Sequence, residues 1–230
     1  MTYQCDGNPG RALDGRENMA GYADADSVKR RMRFDYLKVK NDPGSKSLEV
    51  FSQLMLHFQK PQLSVMEMIQ EATALIQRQF RLRWVMIGLR EPDGFYRYLV
   101  NTGMREDAWA RQKARQYKTE DFELTTANYK AGEISKLSRV YLEEENLLGK
   151  NDEGVVNRPA MLRARRRTDD DILEADFVDT LILGANDDLL GWIEYSGTVT
   201  GKIPEAMTIR HIEVVSAILA GALVSPGSKI

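Results

Sequence analysis

Two acidic residues, Asp179 and Glu194, are set by their neighbours to face each other across a hairpin. Phe177 to Leu183 reads as one strand, Leu189 to Tyr195 as another, and Ala185-Asn186-Asp187-Asp188 as the turn between them. With the turn centred on Asn186-Asp187, Phe177 faces Ser196, Asp179 faces Glu194, Leu181 faces Trp192 and Leu183 faces Leu190. Like charges directly opposite weaken a strand pair. Two carboxylates so placed need a cation between them, a shared proton or good solvation. Arg139 on a third strand, or Arg97 on the second, is the expected cation, and Tyr141 joins them as a candidate contact. Trp192 shares the face, and an aromatic ring beside paired carboxylates suits a cationic or amine-bearing ligand. The competing reading is a structural bridge at a solvated strand end.

A second concentration of charge is Asn157-Arg158-Pro159 followed by Arg163, Arg165, Arg166 and Arg167, with Thr168-Asp169-Asp170-Asp171 and Glu174 close behind. The acids cancel most of the field and the run holds no aromatic, so it reads as a solvated loop with internal ion pairs rather than a nucleic-acid patch. Anion or nucleotide-phosphate binding by Arg158 is the alternative. Catalysis has little to build on. The two histidines, His57 and His211, fall in expected helices, and His211 sits beside an apolar stripe. Zinc takes three or four His, Cys or carboxylate ligands, and no such cluster is visible. Glycine-rich phosphate loops are missing. The expectation is a protein that is not an enzyme, with no catalytic residue and no metal site.

These residues need a core and a frame to hold them. The chain of 230 residues is 43% hydrophobic and 29% charged, enough to bury a core beneath a polar surface. Thirty-two basic against 34 acidic residues leave a net charge of -2, which excludes a global positive field for nucleic acid. The longest apolar run, Ala217 to Val224, falls short of the roughly 20 residues of a membrane span. The N-terminal residues lack the basic-then-apolar order of a signal peptide. The single cysteine, Cys5, points to a reducing compartment, and a cytoplasmic location is expected.

Along the chain, residues 1–26 read as a tail and residues 27–60 as a helical extension. The basic segment around Lys29-Arg30-Arg31-Met32-Arg33 reads as a linker helix face. Asn41-Asp42-Pro43-Gly44-Ser45 breaks the chain, and Leu48, Phe51, Leu54, Met55 and Phe58 then predict a serine-capped helix over 47–59. Ser64 and Glu67 form a capping box for a helix whose stripe is Val65, Met68, Ile69, Ala72, Leu75, Ile76 and Phe80. Trp84 to Leu89 is a central strand, Glu91-Pro92-Asp93-Gly94 a turn, and Phe95 to Asn101 the returning strand. A charged helix or helix-like loop follows over 105–117, then a strand over 134–142, a polar stretch over 143–176 with a short helix near 159–165, the hairpin, and a helix opened by Pro204. Tight hairpins make the sheet mainly antiparallel. The expected class is α+β, a central antiparallel sheet with the N- and C-terminal helices on one face and an irregular roof on the other, where a pocket would form. The two amphipathic helices over 47–59 and 64–80 offer more apolar surface than one sheet face needs, so a homodimer is expected.

That order of elements, with the phrases Trp84 to Leu89, Tyr96 to Gly103, Asn157-Arg158-Pro159-Ala160, Asp176-Phe177-Val178-Asp179 and Gly191-Trp192-Ile193-Glu194-Tyr195-Ser196-Gly197, resembles the GAF domains of bacterial and archaeal signalling proteins. The resemblance covers about residues 61–225, with 226–230 a second tail. It implies a six-stranded, GAF/PAS-like antiparallel sheet, a pocket for a small molecule or chromophore, dimerisation through flanking helices and coupling to an output partner or domain. The Asn-Lys…Phe…Asp-Glu motif of cyclic-nucleotide members is not found at a sensible spacing. Cys5 lies in the tail, away from where bilin-attaching members need a cysteine, and a reductase of the free methionine sulfoxide type lacks its cysteines here. No particular cofactor follows. The expected function is a sensory, regulatory domain binding a small molecule. The alternative is a ligand-free dimerisation or protein-interaction module on the same scaffold. The candidate ligand-binding residues are Arg97, Arg139, Tyr141, Arg158, Asp179, Trp192 and Glu194.

Overall fold

The structure, a computed structural model, describes residues 25–39, 43–59, 63–123, 129–149 and 152–224. The tails expected over 1–26 and 226–230 lie outside these, apart from residues 25 and 26, which are helical. The chain divides into two compact units, residues 1–46 and 47–230. In the first, helix α1 (Ala25–Val39) is the basic segment, its side chains largely exposed, with Lys29 paired to Asp26 and Arg31 to Asp35 one turn on. The break falls near residue 46 rather than 60 because the helix after it contributes to the second unit's core through Phe51 and Leu54. That helix, α2 (Pro43–Phe58), begins at Pro43 instead of Ser47. Proline fits a helix's first turn, where its missing N–H would have no partner, so Pro43 can open the helix.

Helix α3 (Val65–Gln79) carries the predicted capping box. The Glu67 N–H donates to Ser64 Oγ at 3.2 Å and the Ser64 N–H to Glu67 Oε2 at 2.9 Å. Six strands follow: β1 (Val85–Arg90), β2 (Tyr96–Thr102), β3 (Gly132–Glu133), β4 (Ser138–Tyr141), β5 (Phe177–Leu183) and β6 (Leu189–Tyr195). They make one antiparallel sheet in the order β2-β1-β6-β5-β4-β3. The strand expected over 134–142 is shortened to β4, because Ile134 and Ser135 both donate to the Ser138 carbonyl and turn the chain between β3 and β4. The charged segment forms helix α4 (Glu106–Lys113), and the short helix near Pro159 shrinks to a single 3-10 turn, Pro159–Met161. The terminal helix α5 (Ala206–Val224) starts two residues after Pro204.

Period-two alternation sorts the side chains onto two faces. Val85, Ile87, Leu89, Val178, Ile182, Ile193 and Tyr195 join Ile69, Ile76, Ile212, Val215 and Leu219 in one apolar core, so α3 and α5 share a face of the sheet. By length and composition α5 is apolar enough to cross a bilayer. Here its stripe of Ile209, Ile212, Val215, Leu219 and Leu223 is buried against the sheet. His211 lies between Phe51 and Phe80, stacked on the latter at 5.8 Å, and burial lowers its basicity. The opposite face carries a second, aromatic core of Trp84, Met86, Tyr96, Tyr98, Phe122, Leu181 and Trp192.

Candidate functional site

The aromatic face is roofed by α4, the chain after it and the long segment between β4 and β5. The roof leaves a cavity of about 260 Å³ above the middle strands, a little below the usual size of ligand pockets, about 300–1,000 Å³. Its floor is Trp192, Glu194, Asp179 and Tyr98; its roof includes Arg115, Tyr117, Phe122, Tyr129 and Leu148.

The floor depends on one small residue. Gly88 on β1 lies opposite Trp192 on β6, and a Cβ at Gly88 would come within 2.2 Å of the indole. The missing side chain lets the Trp192 ring lie across β1. Tyr98, Tyr117 and Phe122 close around that ring with centroids 4.8, 5.6 and 4.9 Å away.

Beside it lies a row of register partners: Met86, Glu194, Asp179 and Arg139, on β1, β6, β5 and β4 in turn. Asp179 faces Glu194 and Leu181 faces Trp192, as the sequence predicts. Leu183 pairs with Leu189 rather than Leu190, because the register shifts between Ile182 and Leu183. The two carboxylates are not at a solvated strand end: Asp179 is 6% and Glu194 5% exposed. The Tyr98 hydroxyl donates to Glu194 Oε2 at 2.5 Å, whereas Asp179 Oδ1 is buried with no hydrogen-bond partner among the described residues.

Burial pushes the Glu194 carboxyl up to about 7, although Tyr98, Arg115, Asp179 and Trp192 all favour its charged form. Asp179 is raised well above the ordinary carboxylate range by burial and then by Glu194, against the pull of Arg139 and the Tyr141 hydroxyl. The pair therefore holds its protons more tightly than free carboxyls do. Tyr98, Tyr117 and Tyr141 are held protonated, chiefly by burial.

The roof is tied down by buried acids. Asp176 accepts from the Glu143 N–H at 2.8 Å, the Leu173 N–H at 2.7 Å and Arg166 at 2.9 Å. Glu143 accepts from the Arg163 and Ala175 N–H groups. Glu174 takes Arg158 through both backbone and side chain, and Arg83 at 3.2 Å. Within the arginine run Arg158, Arg163 and Arg166 thus make internal ion pairs, Arg163 with Glu153 and Arg166 with Glu144 as well as Asp176.

Of the seven residues singled out in the sequence, Tyr141, Asp179, Trp192 and Glu194 line the cavity. Arg139 stands next to Asp179 in the row, but its guanidinium donates to the Phe122 carbonyl and holds the roof. Arg158 is off the lining, its charge spent on Glu174. Arg97 is also off it, bound to Glu91 at 2.5 Å and Asp93 at 2.8 Å by the β1–β2 turn. Tyr98 and Tyr96 point to the aromatic core, so the residue between them points away. That alternation was readable in Tyr96-Arg97-Tyr98 and excludes Arg97. Tyr98 was legible on the same ground, whereas Arg115, Tyr117 and Phe122 come from stretches without a period.

No protein-family model matches the sequence, and no curated protein matches it. Solved structures do. The GAF domain of nlh2 from A. aeolicus in an inactive state superposes at a TM-score of 0.51 with 13% identity, over 79% of this chain and 97% of that one. The GAF domain/HD domain protein from Geobacter sulfurreducens superposes at 0.50 with 10% identity, over 71% of this chain and 95% of that one. The chain has a GAF-like fold: a six-stranded antiparallel sheet in an α+β arrangement.

Proposed function

We propose that this protein is a sensory or regulatory module that holds a small molecule between the sheet and its roof. It passes the resulting change through its helices to a partner or output domain. The observation that carries the reading is the roofed cavity itself, floored by two buried carboxylates and an aromatic cluster. A buried polar atom without a partner among the described residues, Asp179 Oδ1, is costly in a folded interior unless something occupies the space beside it. The fold supports the reading only as a scaffold, since one fold carries many functions. Binding here, and not catalysis, is proposed, and Cys5 as the single cysteine supports a reducing, cytoplasmic setting.

A thermal-shift screen over amines, acids, nucleosides and sugars tests it, because a ligand of the native state raises the melting temperature by mass action. At least one class should raise it in the wild type and not in Trp192→Ala. No shift from any class would remove the reading.

The second reading, a dimerisation module without a ligand, is favoured by one feature. Leu48, Met55 and Leu56 on α2 are more than half exposed, at 65%, 51% and 66%. Light scattering on the wild type and Leu56→Glu tests it. A dimer that the substitution disperses supports it, and a wild-type monomer at high concentration opposes it.

A further inference from the structure

We infer that the small molecule held in this cavity carries a primary ammonium group, seated between Asp179 and Glu194, with a flat apolar body lying along the Trp192 wall. The inference rests on the reading of the cavity as a small-molecule site and gives that site its chemistry.

A charge inventory of the lining leads to it. Four carboxylates border the cavity: Asp121, Glu174, Asp179 and Glu194. Asp121 accepts the Lys118 N–H at 2.8 Å in a capping contact of its turn, and Glu174 is saturated by Arg83 and Arg158. Among the described residues the one cation of the lining, Arg115, is paired with Asp152 at 2.9 Å. From β4, Arg139 and the Tyr141 hydroxyl attract Asp179; from β2 and the roof, Tyr98 and Arg115 attract Glu194. With all of these in place both carboxyls still hold protons more tightly than free acids do. The negative charge that the site offers without a cation is therefore that of the Asp179–Glu194 pair.

Geometry makes the pair a receptor for an N–H donor. Register partners on neighbouring antiparallel strands hold their side chains side by side on one face. Glu194 has its hydroxyl donor in Tyr98, while Asp179 Oδ1 has none. An ammonium group brings three donors and a full charge, enough to serve that oxygen and bridge to Glu194. An anion would meet two carboxyls and, among the described residues, no free cation of the lining. A neutral alcohol would supply one donor and leave the pair's charge unanswered. Beside the pair, Trp192 and Tyr98 line the same cavity and give an apolar body aromatic surface to lie against. When the cation enters it replaces the proton that the empty pair retains, so binding releases a proton and strengthens as the pH rises.

Titration calorimetry of the full chain with phenethylamine, phenethyl alcohol and phenylpropanoate tests this, since the three share a body and differ in the head group. The amine should bind at least about tenfold more tightly than the alcohol, as a charge-assisted bond exceeds a neutral one by 1.4 kcal/mol or more. Its heat should change with the ionisation enthalpy of the buffer, and its affinity should rise between about pH 6 and about pH 8. Asp179→Asn should bring the amine down to the affinity of the alcohol. If that variant is unfolded, Glu194→Gln, isosteric with the protonated acid, makes the same comparison. Equal or tighter binding of the alcohol or the acid overturns the cation assignment and leaves the sensory reading standing, as does amine binding without proton release. Failure of all three to bind also overturns it, and only failure of the broad screen removes the sensory reading.

Discussion

Replacing Glu194 by glutamine should make the protein more stable at alkaline pH and leave it little changed in acid. In the folded chain the Glu194 carboxyl holds its proton up to about pH 7, against an ordinary 4.5. The folded pKa lies above the unfolded one, so the stability this group contributes is complete below pH 4.5 and is lost as the pH climbs to about 7. The shift amounts to about 3 kcal/mol. Glutamine keeps an acceptor for the Tyr98 hydroxyl and offers Asp179 a permanent N–H in place of a proton. The stability difference between the variant and the wild type should therefore grow by about 3 kcal/mol from pH 4.5 to pH 7.5. In urea, with a slope of about 2 kcal/mol/M, the two midpoints should separate by roughly 1.5 M more at the upper pH than at the lower. Taking the difference cancels the groups the two proteins share, apart from Asp179, whose carboxyl is itself raised by Glu194. A difference that stays flat with pH, or a variant that loses stability most at high pH, would refute a proton-holding buried pair.

Other substitutions probe the frame. Gly88→Ala would drive a methyl group into the Trp192 ring and should cost about 1–3 kcal/mol, with an altered tryptophan emission; an unchanged melting curve would show that the ring moves freely. Asp176→Ala removes one of the acceptors of Arg166, which keeps Glu144, and leaves the Glu143 and Leu173 N–H groups without theirs; a loss of about 2–4 kcal/mol is expected, read by denaturation and by faster hydrogen exchange over residues 143–176. Ser64→Ala removes one half of the capping box and should cost about 1 kcal/mol in a urea melt, with no effect on ligand binding. Arg97→Gln, removed from the cavity by strand alternation, should leave amine affinity unchanged in calorimetry.

What could be read from the sequence follows from where local pattern dictates structure. The β5–β6 hairpin was legible because turn residues and two alternating runs fix a register, and that register alone brings Asp179 against Glu194. It slips at Leu183 because the turn is not a two-residue loop: the Gly184 N–H closes on the Asp188 carbonyl, and Asp187 takes a positive φ of 60°. The helices facing the core declared themselves by their apolar stripes. The roof did not, because Arg115, Tyr117 and Phe122 are fixed by contacts far away in the chain. Tyr117, for example, is held by its bridge to Tyr96. The arginines near Arg158 were equally opaque: their partners Glu143, Glu174 and Asp176 are in the same polar stretch or at its edges, but only the fold shows that those acids are buried.

The most direct test of the ligand site is magnetic-resonance mapping of a compound that scores in the thermal-shift screen, followed through the indole N–H signals of Trp84, Trp109 and Trp192. Trp192 forms the cavity floor and Trp84 lines the wall, while Trp109 is outside the lining. The account predicts the largest shift at Trp192, a smaller one at Trp84 and the least at Trp109, with the Trp192 change lost in Asp179→Asn. Shifts confined to the exposed face of α2, with Trp192 untouched, would contradict it.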